Sequence, residues 1–371
     1  MSKAAELAAL IGSGQAQIAQ NLIINGGFTA AQRGTSSTSS GYQTVDRTRA
    51  EFSGASVTQS QQALTAGSPY DDGHRYFFRC ANTSTSSATS AYLQINQEIE
   101  AQNVATSGWD ATSSSSYLTM SFWARSSLAG TYNVLLKSHD GTAQGFSSAF
   151  TLVADTWKKI SVTIPGNSSI TITNDNGIGL RCYVVPHLGT NYTTSGHTSD
   201  SWQTLDNNNL VPDYAQNWSN TASATFDMTG WKVEVGEVAT PFKHEDFGTT
   251  LAKCQRYLYR RNFEIYDVVC QGASLGDKGS YCLHLPVAMR AKPSCSQGSG
   301  IYCWYNKAGS ITTQTNLAVT YMGTNDTNMT QAFIRADDNS TASSATNYPL
   351  GLTSYDASGS NSTFIALDAE L

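Results

Sequence analysis

The chain has 371 residues and a formal net charge of −6, and charged residues make up 13% of it, about half of the roughly 25% that is usual in soluble domains. The negative balance, together with the lack of any run rich in lysine and arginine, argues against nucleic acid as the main partner, because neutralising phosphates needs clustered cations. No apolar run approaches the roughly 20 residues of a membrane-spanning helix, so we expect no membrane insertion.

The first predicted element is a short helix over residues 3–11, in which Leu7 and Ile11 lie on one apolar stripe. A helix of this length is marginal alone in water, so it must pack on its own chain, on identical chains or on a larger assembly. A frayed helical tail is the alternative. Glu6 interrupts the apolar stretch, so we expect no secretory signal here. We interpret residues 1–20 as an anchoring or oligomerisation segment.

From residue 21 to residue 242, apolar and polar side chains alternate with a period of two in one segment after another. One-sided alternation with dense turn signals is typical of antiparallel sheets packed face to face. The lack of long intervening helices excludes a parallel α/β fold. The sequence therefore predicts an all-β fold that begins with a jelly-roll β-sandwich. Its predicted strands include 22–24, 93–99, 118–124, 132–136, 160–164, 170–172 and 180–184.

The last strand of this predicted sandwich contains an irregularity. Phe226 and Met228 alternate with polar residues, and Trp231 and Val233 resume the alternation one position out of phase across Gly230. Because a pleated strand has a side-chain period of two, this slip predicts a β-bulge at the glycine.

A change of spacing after the last strand predicts a second module. Leu251 and Leu258 belong to a stretch with helical spacing, which predicts a short helix within a linker over residues 243–262. Strands then restart, and the sequence predicts a second, smaller β-sandwich over residues 263–371. We assign Leu251 and Leu258, like the stripe of the N-terminal helix, to oligomerisation or anchoring.

The sequence gives little support for a metal or cofactor site. The seven cysteines form an odd set, and a chain of this size has core enough without disulfides, so we expect reduced and mostly buried thiols. Cys282 and His284 lack the paired spacing of a zinc site. The turns at residues 71–73 and 174–177 have oxygen ligands that suit calcium, but ordinary turn chemistry explains both. We expect no metal and no cofactor.

Glu98 and Glu100 lie on one face of a predicted strand at about the separation that glycan-cleaving enzymes use. Glu234 with Glu237, and Glu245 with Asp246, are further candidate pairs. None lies among the apolar residues that would raise one pKa of the pair. A solvated strand face and a charged junction explain them, so we expect no catalytic residue.

The segment from residue 186 to residue 220 is predicted to be a long loop that carries aromatic residues among polar ones. Sugars stack on flat aromatic rings, and amide and carboxylate groups bind their hydroxyls. Trp202, Tyr214, Trp218 and Asp206 are therefore the candidate carbohydrate-binding residues. The alternative is that these aromatic residues fasten the loop to the sandwich.

Three stretches also match a known pattern in their order and spacing. They are Asn21–Phe28 followed by residues 32–34 and 44–47; residues 230–236 followed by residues 239–242; and residues 251–257. Together they resemble tail-fibre or fibre-like virion structural proteins of tailed bacteriophages, of the type found in phages of marine bacteria and cyanobacteria. The resemblance covers about two-thirds of the chain. The chain departs from the pattern at Thr48, where the family usually has tryptophan, and at Lys243, where it often has glutamate.

The resemblance implies a jelly roll like that of carbohydrate-binding modules, on a homotrimeric appendage of the tail or capsid surface of a virion. It implies other virion proteins as partners and a host-surface glycan as a further one. It carries over no catalytic residue. A glycan-degrading tailspike, or a capsid decoration protein that binds no receptor, are the alternatives.

Overall fold

The computed structural model describes residues 20–264, 268–275, 278–298, 301–307, 310–314, 318–322, 331–337, 349–354 and 364–371, with side chains over 20–264, 282–298 and 364–371. The predicted N-terminal helix, with Leu7 and Ile11, lies outside the described residues. The chain divides into two units between Phe247 and Gly248.

The first unit is built from two six-stranded antiparallel sheets. Successive strands cross repeatedly from one sheet to the other, which gives a jelly-roll sandwich and confirms the predicted fold class. Two short helices, α1 (Ser68–Asp71) and α2 (Ala101–Ala105), connect strands. The first sheet has the order β1 (Ser36–Ser37), β3 (Ser56–Ala63), β4 (Tyr76–Ser84), β12 (Thr225–Val235), β6 (Tyr117–Ser126) and β9 (Lys158–Pro165). The second has the order β11 (Trp202–Thr204), β8 (Gln144–Leu152), β7 (Gly130–Ser138), β10 (Ile178–Leu188), β5 (Tyr92–Glu100) and β2 (Arg49–Ser53).

The inner faces of the two sheets form one apolar core, to which alternate residues of each long strand contribute. On β5 these are Leu93, Ile95 and Ile99, and their polar neighbours in sequence point outward or to the edges. The outward face of the second sheet therefore carries the residues that alternate with the core residues on β2, β5, β7, β8 and β10.

Two predicted strands are wrong. Residues 22–24 form turns and bends, and residues 170–172 contribute only an isolated bridge at Thr171. Leu22, Ile23 and Ile170 are nevertheless buried. Their apolar character reflects contact with the core, which short irregular segments can also make.

The predicted bulge in β12 is confirmed. The pairing of β12 with β6 shifts register between Thr229 and Lys232, and Gly230 has a φ of 65°, in the left-handed region that favours glycine. Phe226 and Trp231, on opposite sides of the bulge, are both fully buried in the core. The bulge thus lets one strand keep its apolar side chains inward across the slip.

Beyond the bulge, the chain entering the sandwich takes the place of a neighbouring strand beside β12. The side chain of Asn21 donates to the carbonyl of Trp231 at 3.0 Å and accepts from the backbone N–H of Val233 at 3.0 Å. The N–H of Trp231 donates to the carbonyl of Gly26 at 2.9 Å, and the N–H of Leu22 to the carbonyl of Val233 at 2.8 Å. The two ends of the sandwich are therefore joined by hydrogen bonds.

A buried histidine covers the bulge. The ring of His74 is 2% exposed, and its centroid lies 4.8 Å from that of Phe242. A Cβ at Gly230 would lie 2.7 Å from the same ring. Burial lowers the pKa of His74 to about 4, and repulsion from His244 adds to the effect.

The second unit contains two antiparallel sheets and the helix α3 (Phe247–Gln255). The helix confirms the predicted switch to helical spacing. One sheet has the order β13 (Leu258–Asn262), β22 (Phe364–Asp368) and β16 (Ser294–Gln297). The other has the order β18 (Ser310–Gln314), β17 (Ile301–Lys307), β21 (Pro349–Ser354), β14 (Val268–Leu275), β15 (Lys278–His284), β20 (Gln331–Asp337) and β19 (Ala318–Met322).

The structure corrects part of the predicted linker. Residues 258–262, assigned to the linker, form β13 and pair with β22 inside the second unit. Leu258 is buried there, so its assignment to an oligomerisation surface is wrong. The helix ends at Gln255, and the next apolar residues follow the pairing of a strand. Leu251 is half-buried on α3, and its role in oligomerisation stays a prediction.

Among the described residues, the cysteines with described side chains form no disulfide; they are Cys80, Cys182, Cys254, Cys282 and Cys295, and the first three are buried. Among the described residues, no helix is both long and apolar enough to cross a membrane.

Replacing Gly26 tests the joint between the two ends of the sandwich. In Gly26→Ala the new Cβ would lie 1.9 Å from the carbonyl oxygen of Trp231, so the backbone must move. We expect the free energy of unfolding to fall by about 2 kcal/mol or more, as measured by chemical denaturation. Gly27→Ala is the matched control, because its nearest contact would be 3.8 Å away. Equal stability of the two variants would contradict this account.

The burial of His74 predicts a pH dependence of stability. The pKa of His74 is about 4 in the folded protein and 6.5 in its unperturbed state, so between these values the unfolded chain binds a proton that the folded one excludes. The contribution of neutral His74 to the free energy of unfolding is complete above about pH 6.5 and is lost as the pH falls towards about 4. Denaturation at a series of pH values should show a flatter loss of stability over this window in His74→Gln. An unchanged slope would be inconsistent with a neutral buried His74.

Candidate functional site

The long segment between β10 and β12 packs on the outward face of the second sheet. A second apolar cluster joins the two, with Leu135, Tyr183, Val185 and Leu188 from the sheet and Leu210 and Val211 from the loop. Half-buried Tyr92, Tyr192, Leu205 and Tyr214 pack against this cluster. The loop is thus held in place by apolar burial, although its surface is polar.

The structure separates the four predicted carbohydrate-binding residues. Trp218 is 0% exposed and lies in the main core, so its prediction as a stacking residue is wrong. Trp202 packs on Phe146, with ring centroids 5.7 Å apart, and its Nε1 donates to the carbonyl of Pro165 at 2.6 Å. Both tryptophans fasten the loop to the sandwich, which is the alternative that the sequence left open.

The other two predicted residues have different surroundings. The hydroxyl of Tyr214 accepts from the N–H of Leu188 and donates to its carbonyl, which fixes the loop against β10. Asp206 is exposed and closes a turn by accepting from the N–H of Asn208 at 2.9 Å. Of the four, Tyr214 alone lines the pocket described next.

A pocket of about 390 Å³ lies between this loop, the end of β10 and the segment around Ala88. Its lining is rich in hydroxyl and amide groups and includes one carboxylate, that of Asp213, which accepts a hydrogen bond from the hydroxyl of Thr193. The other polar side chains of the lining include Ser87, Thr89, Thr190, Thr194, Gln216 and Asn217. We refer to this site as the loop pocket.

His187 adds a neutral imidazole to the wall of the loop pocket. Its side chain is buried, and Nδ1 has no hydrogen-bond partner among the described residues. Burial lowers the pKa of His187 to about 4, so the ring is uncharged near neutral pH. A neutral imidazole offers one donor and one acceptor. The loop pocket therefore suits a hydroxyl-rich ligand that both donates and accepts.

A charged cluster occupies another part of the outward face, on β2, β5, β10 and β7. The strand register places Glu98 opposite Arg181, and Arg181 opposite Lys137. Arg181 forms an ion pair with Glu98. Arg49 binds Glu51 at 2.9 Å and approaches Glu98 at 3.5 Å. We call Arg49, Glu51, Glu98, Lys137 and Arg181 the ionic row.

Burial shapes the electrostatics of the ionic row. Glu98 is buried, which raises its pKa, and the neighbouring arginines act in the opposite direction. Burial also lowers the pKa of Lys137 to about 8, and repulsion from Arg181 contributes. The row thus holds charged groups at a cost in desolvation.

Some of the buried polar atoms without partners lie on this same outward face, on Asn96, Glu98, Asn133, His139 and Arg181. Others among the described residues lie elsewhere, for example on His74, Ser219 and Trp231. Native structures leave few polar groups unsatisfied, and clusters of them accompany sites that receive water or a ligand. The sequence alone did not identify Arg49, Lys137 or Arg181. In the sequence these residues occupy the polar positions of strands with alternating apolar and polar residues. Only the topology shows that these positions lie on a sheet face that the long loop partly covers.

The carboxylate pairs considered for catalysis have separate environments. Glu98 belongs to the ionic row, whereas Glu100 is buried and accepts from the side chain of Gln102. Glu234 is buried and binds Lys232 at 2.8 Å, and Glu237 is exposed. In the part of the chain that the structure describes, no group of three or more histidine, cysteine, aspartate or glutamate residues is placed to hold a metal ion.

Comparisons by sequence give no relatives: the chain matches no protein-family model and no curated protein. Solved structures show weak similarity. The enzymatically active domain of tailspike protein 4 from bacteriophage CBA120 is similar over 58% of this chain and 21% of its own, with 10% identity and a TM-score of 0.34. The chain thus spans about a fifth of that tailspike.

Two carbohydrate-binding structures are similar at a comparable level. The N-terminal cellulose-binding domain of Cellulomonas fimi β-1,4-glucanase C matches 57% of this chain and 99% of its own, with 9% identity and a TM-score of 0.29. A family 11 carbohydrate-binding module from Clostridium thermocellum, in complex with a mixed-linked tetrasaccharide, matches 54% and 95%, with 12% identity and a TM-score of 0.26. At these scores the similarities do not decide what this chain does.

Proposed function

We propose that the first unit binds a glycan and that the chain is a non-catalytic structural component of a bacteriophage virion, a trimeric fibre or appendage that attaches to the host surface. The observation that carries the binding part is the loop pocket. Its volume of about 390 Å³ lies within the roughly 300–1,000 Å³ range of small-molecule sites.

The chemistry of the pocket fits a neutral sugar. Hydroxyl groups of a sugar both donate and accept hydrogen bonds, as do the threonine and serine hydroxyls, the amide of Asn217 and the neutral ring of His187 that line the pocket. Asp213 adds a carboxyl group, whose oxygens can accept hydrogen bonds from a hydroxyl. Tyr214 and Thr193 hold the loop that presents these groups.

The virion part of the proposal is supported by the sequence motifs at the two ends of the sandwich. Asn21 and Gly26, from the first motif, hydrogen bond to Trp231 and Val233, from the second. The residues that carry the resemblance are thus the ones that close the sandwich. A capsid decoration protein without receptor binding shares this architecture, and binding of a glycan in the loop pocket distinguishes the two.

A glycan-degrading tailspike is the second candidate. It requires an acid and a base on either side of a bound sugar. The loop pocket offers the carboxylate of Asp213, which is hydrogen bonded to Thr193. Release of reducing ends from host capsule or lipopolysaccharide by the purified protein would favour this candidate over the proposal.

Filling the loop pocket tests glycan binding without removing a structural contact. Ala88 and Ala215 line the pocket and are exposed, so Ala88→Trp and Ala215→Trp should occupy its space and leave the fold intact. We expect each to abolish glycan-array binding, or to weaken it at least about tenfold, which corresponds to about 1.4 kcal/mol.

Val153→Trp is the matched control, because Val153 is 68% exposed and lies outside the pocket lining. Binding that survives in both filled variants would place the glycan elsewhere. Binding that is lost in the control as well would point to a general effect of added tryptophan.

The oligomeric state tests the appendage part. We expect the full chain to sediment as a homotrimer at micromolar concentration. Mass photometry and analytical ultracentrifugation measure this directly, and Leu7→Ser with Ile11→Ser should shift the protein towards monomer. A monomeric wild-type protein would contradict the trimer while leaving the glycan test unaffected.

A further inference from the structure

The chain contains two steps in which a glycine directly follows an asparagine, Asn25–Gly26 and Asn176–Gly177. Asparagine is among the thermolabile residues of proteins. At such a step its side-chain amide can react with the next backbone nitrogen, because glycine has no side chain to hinder the approach. The two steps have the same chemistry, so a difference in their reactivity must come from the fold.

The fold holds the side chain of Asn25 away from this reaction. Asn25 is 5% exposed, and its backbone has a φ of 59°. Its amide nitrogen donates to the carbonyls of Ala30 and Asp46 at 2.9 and 3.0 Å. Its amide oxygen accepts from the N–H groups of Thr29 and Ala30 at 2.9 and 3.1 Å. To reach the nitrogen of Gly26 the amide must leave these partners, which requires a local opening of the fold.

Asn176 has different surroundings, because it lies in an exposed turn just before β10. The nitrogen that would attack its side chain belongs to Gly177. The N–H of Gly177 donates to the carboxylate of Asp175 at 2.7 Å, in a hydrogen bond that is exposed to solvent. Water replaces exposed hydrogen bonds at little net cost. The turn can therefore rearrange without the opening of a buried part of the sandwich.

We propose that Asn176 is a site of deamidation and that the fold protects Asn25 from the same reaction. The backbone nitrogen of Gly177 attacks Cγ of Asn176 and forms a new C–N bond. The bond from Cγ to the side-chain nitrogen breaks, and ammonia leaves with the proton of the Gly177 N–H. Water then opens the resulting succinimide ring at either of its two carbonyls, which gives aspartate or isoaspartate. No oxidant or reductant takes part.

The turn that would change supports the start of α2. The N–H of Ala101 donates to the carbonyl of Gly177 at 2.9 Å, and the N–H of Gln102 donates to the carbonyl of Asp175 at 2.9 Å. The first N–H groups of a helix have no partner within the helix, so the turn supplies them. Isoaspartate at residue 176 adds a CH2 group to the backbone between these two carbonyls. We therefore expect the modification to loosen the start of α2.

The site goes beyond the proposed function, since residues 174–177 lie outside the lining of the loop pocket and the reaction needs no glycan. Glycan binding by the protein and deamidation of Asn176 can therefore fail independently.

Mass spectrometry of tryptic peptides tests the proposal on the full chain after incubation in mildly alkaline buffer. The peptide of residues 160–181 contains Asn176, and the peptide of residues 4–33 contains Asn25. We expect Asn176 to deamidate at least about tenfold faster than Asn25 in the folded protein, because Asn25 reacts only after local opening. Asn167 and Asn174 lie in the first peptide but precede larger residues, so they should stay unchanged.

Guanidinium chloride separates the effect of the fold from that of the sequence. In the unfolded chain both asparagines are solvated and both precede glycine, so their rates should agree within about threefold. The proposal is wrong if Asn25 reacts as fast as Asn176 in the folded protein, or if the two differ as much in denaturant as in buffer.

Gly177→Ala and Gly196→Ala form a matched pair of variants. A Cβ at Gly177 would lie 2.9 Å from the end of the Asp175 side chain, which can move, and it would hinder the attacking nitrogen. Gly177→Ala should therefore slow the loss of Asn176 severalfold. Gly196 lies in another exposed turn, where a Cβ would meet its nearest atom at 4.0 Å. Gly196→Ala should react as the wild type does, and equal rates in the two variants would contradict the proposal.

Hydrogen exchange tests the consequence for α2. In the deamidated fraction the amides of Ala101 and Gln102 should exchange faster than in the unmodified protein, because the carbonyls that they contact are displaced. Unchanged exchange at both amides would contradict the expected effect on α2.

Discussion

The hydrogen bonds between the entering chain and β12 are the constraint on which the first unit depends. The bulge at Gly230 turns β12 so that its apolar residues stay inward on both sides of the slip, but it also ends the pairing with β4 at Met228. Residues 21–26 then satisfy the backbone groups of Trp231 and Val233. Unsatisfied buried backbone groups are costly, so a strand with this bulge requires a segment in this place.

The second sheet uses its two faces for different purposes. Its inner face belongs to the core, whereas its outward face is divided between an apolar cluster beneath the long loop and the ionic row. Because the loop is held by buried aromatic side chains, its polar residues are free to line a pocket. In the ionic row on the same face, Lys137 is buried and Arg181 is paired with Glu98.

The fold class, the bulge and most strands could be predicted from the sequence, because a period of two is a local property that burial of one face imposes directly. Leu22 and Ile170 were misassigned because an apolar residue in a turn that touches the core has the same composition as one in a strand. Leu258 was misassigned because a helix that stops at Gln255 is followed at once by a strand with apolar residues.

The candidate sites were harder to predict. Trp218 and Trp202 lie in a polar stretch, and no local signal shows that the loop folds its rings inward. Lys137 and Arg181 are 44 positions apart in sequence and become neighbours only through the register of β7 and β10. A site formed by the pairing of distant strands has no fixed spacing in the sequence. The two ends of the sandwich carry short sequence motifs, so they could be identified from the sequence.

The joint between Asn21 and Val233 also decides how the first unit carries force. The chain enters at residue 21 and leaves after Val235, and the entering segment is hydrogen bonded to Val233, close to the end of β12. Tension between the chain before the sandwich and the chain after it therefore acts on this short set of hydrogen bonds. The strands that carry the loop pocket and the ionic row lie outside that line of load, so their geometry is insulated from a pull along the chain.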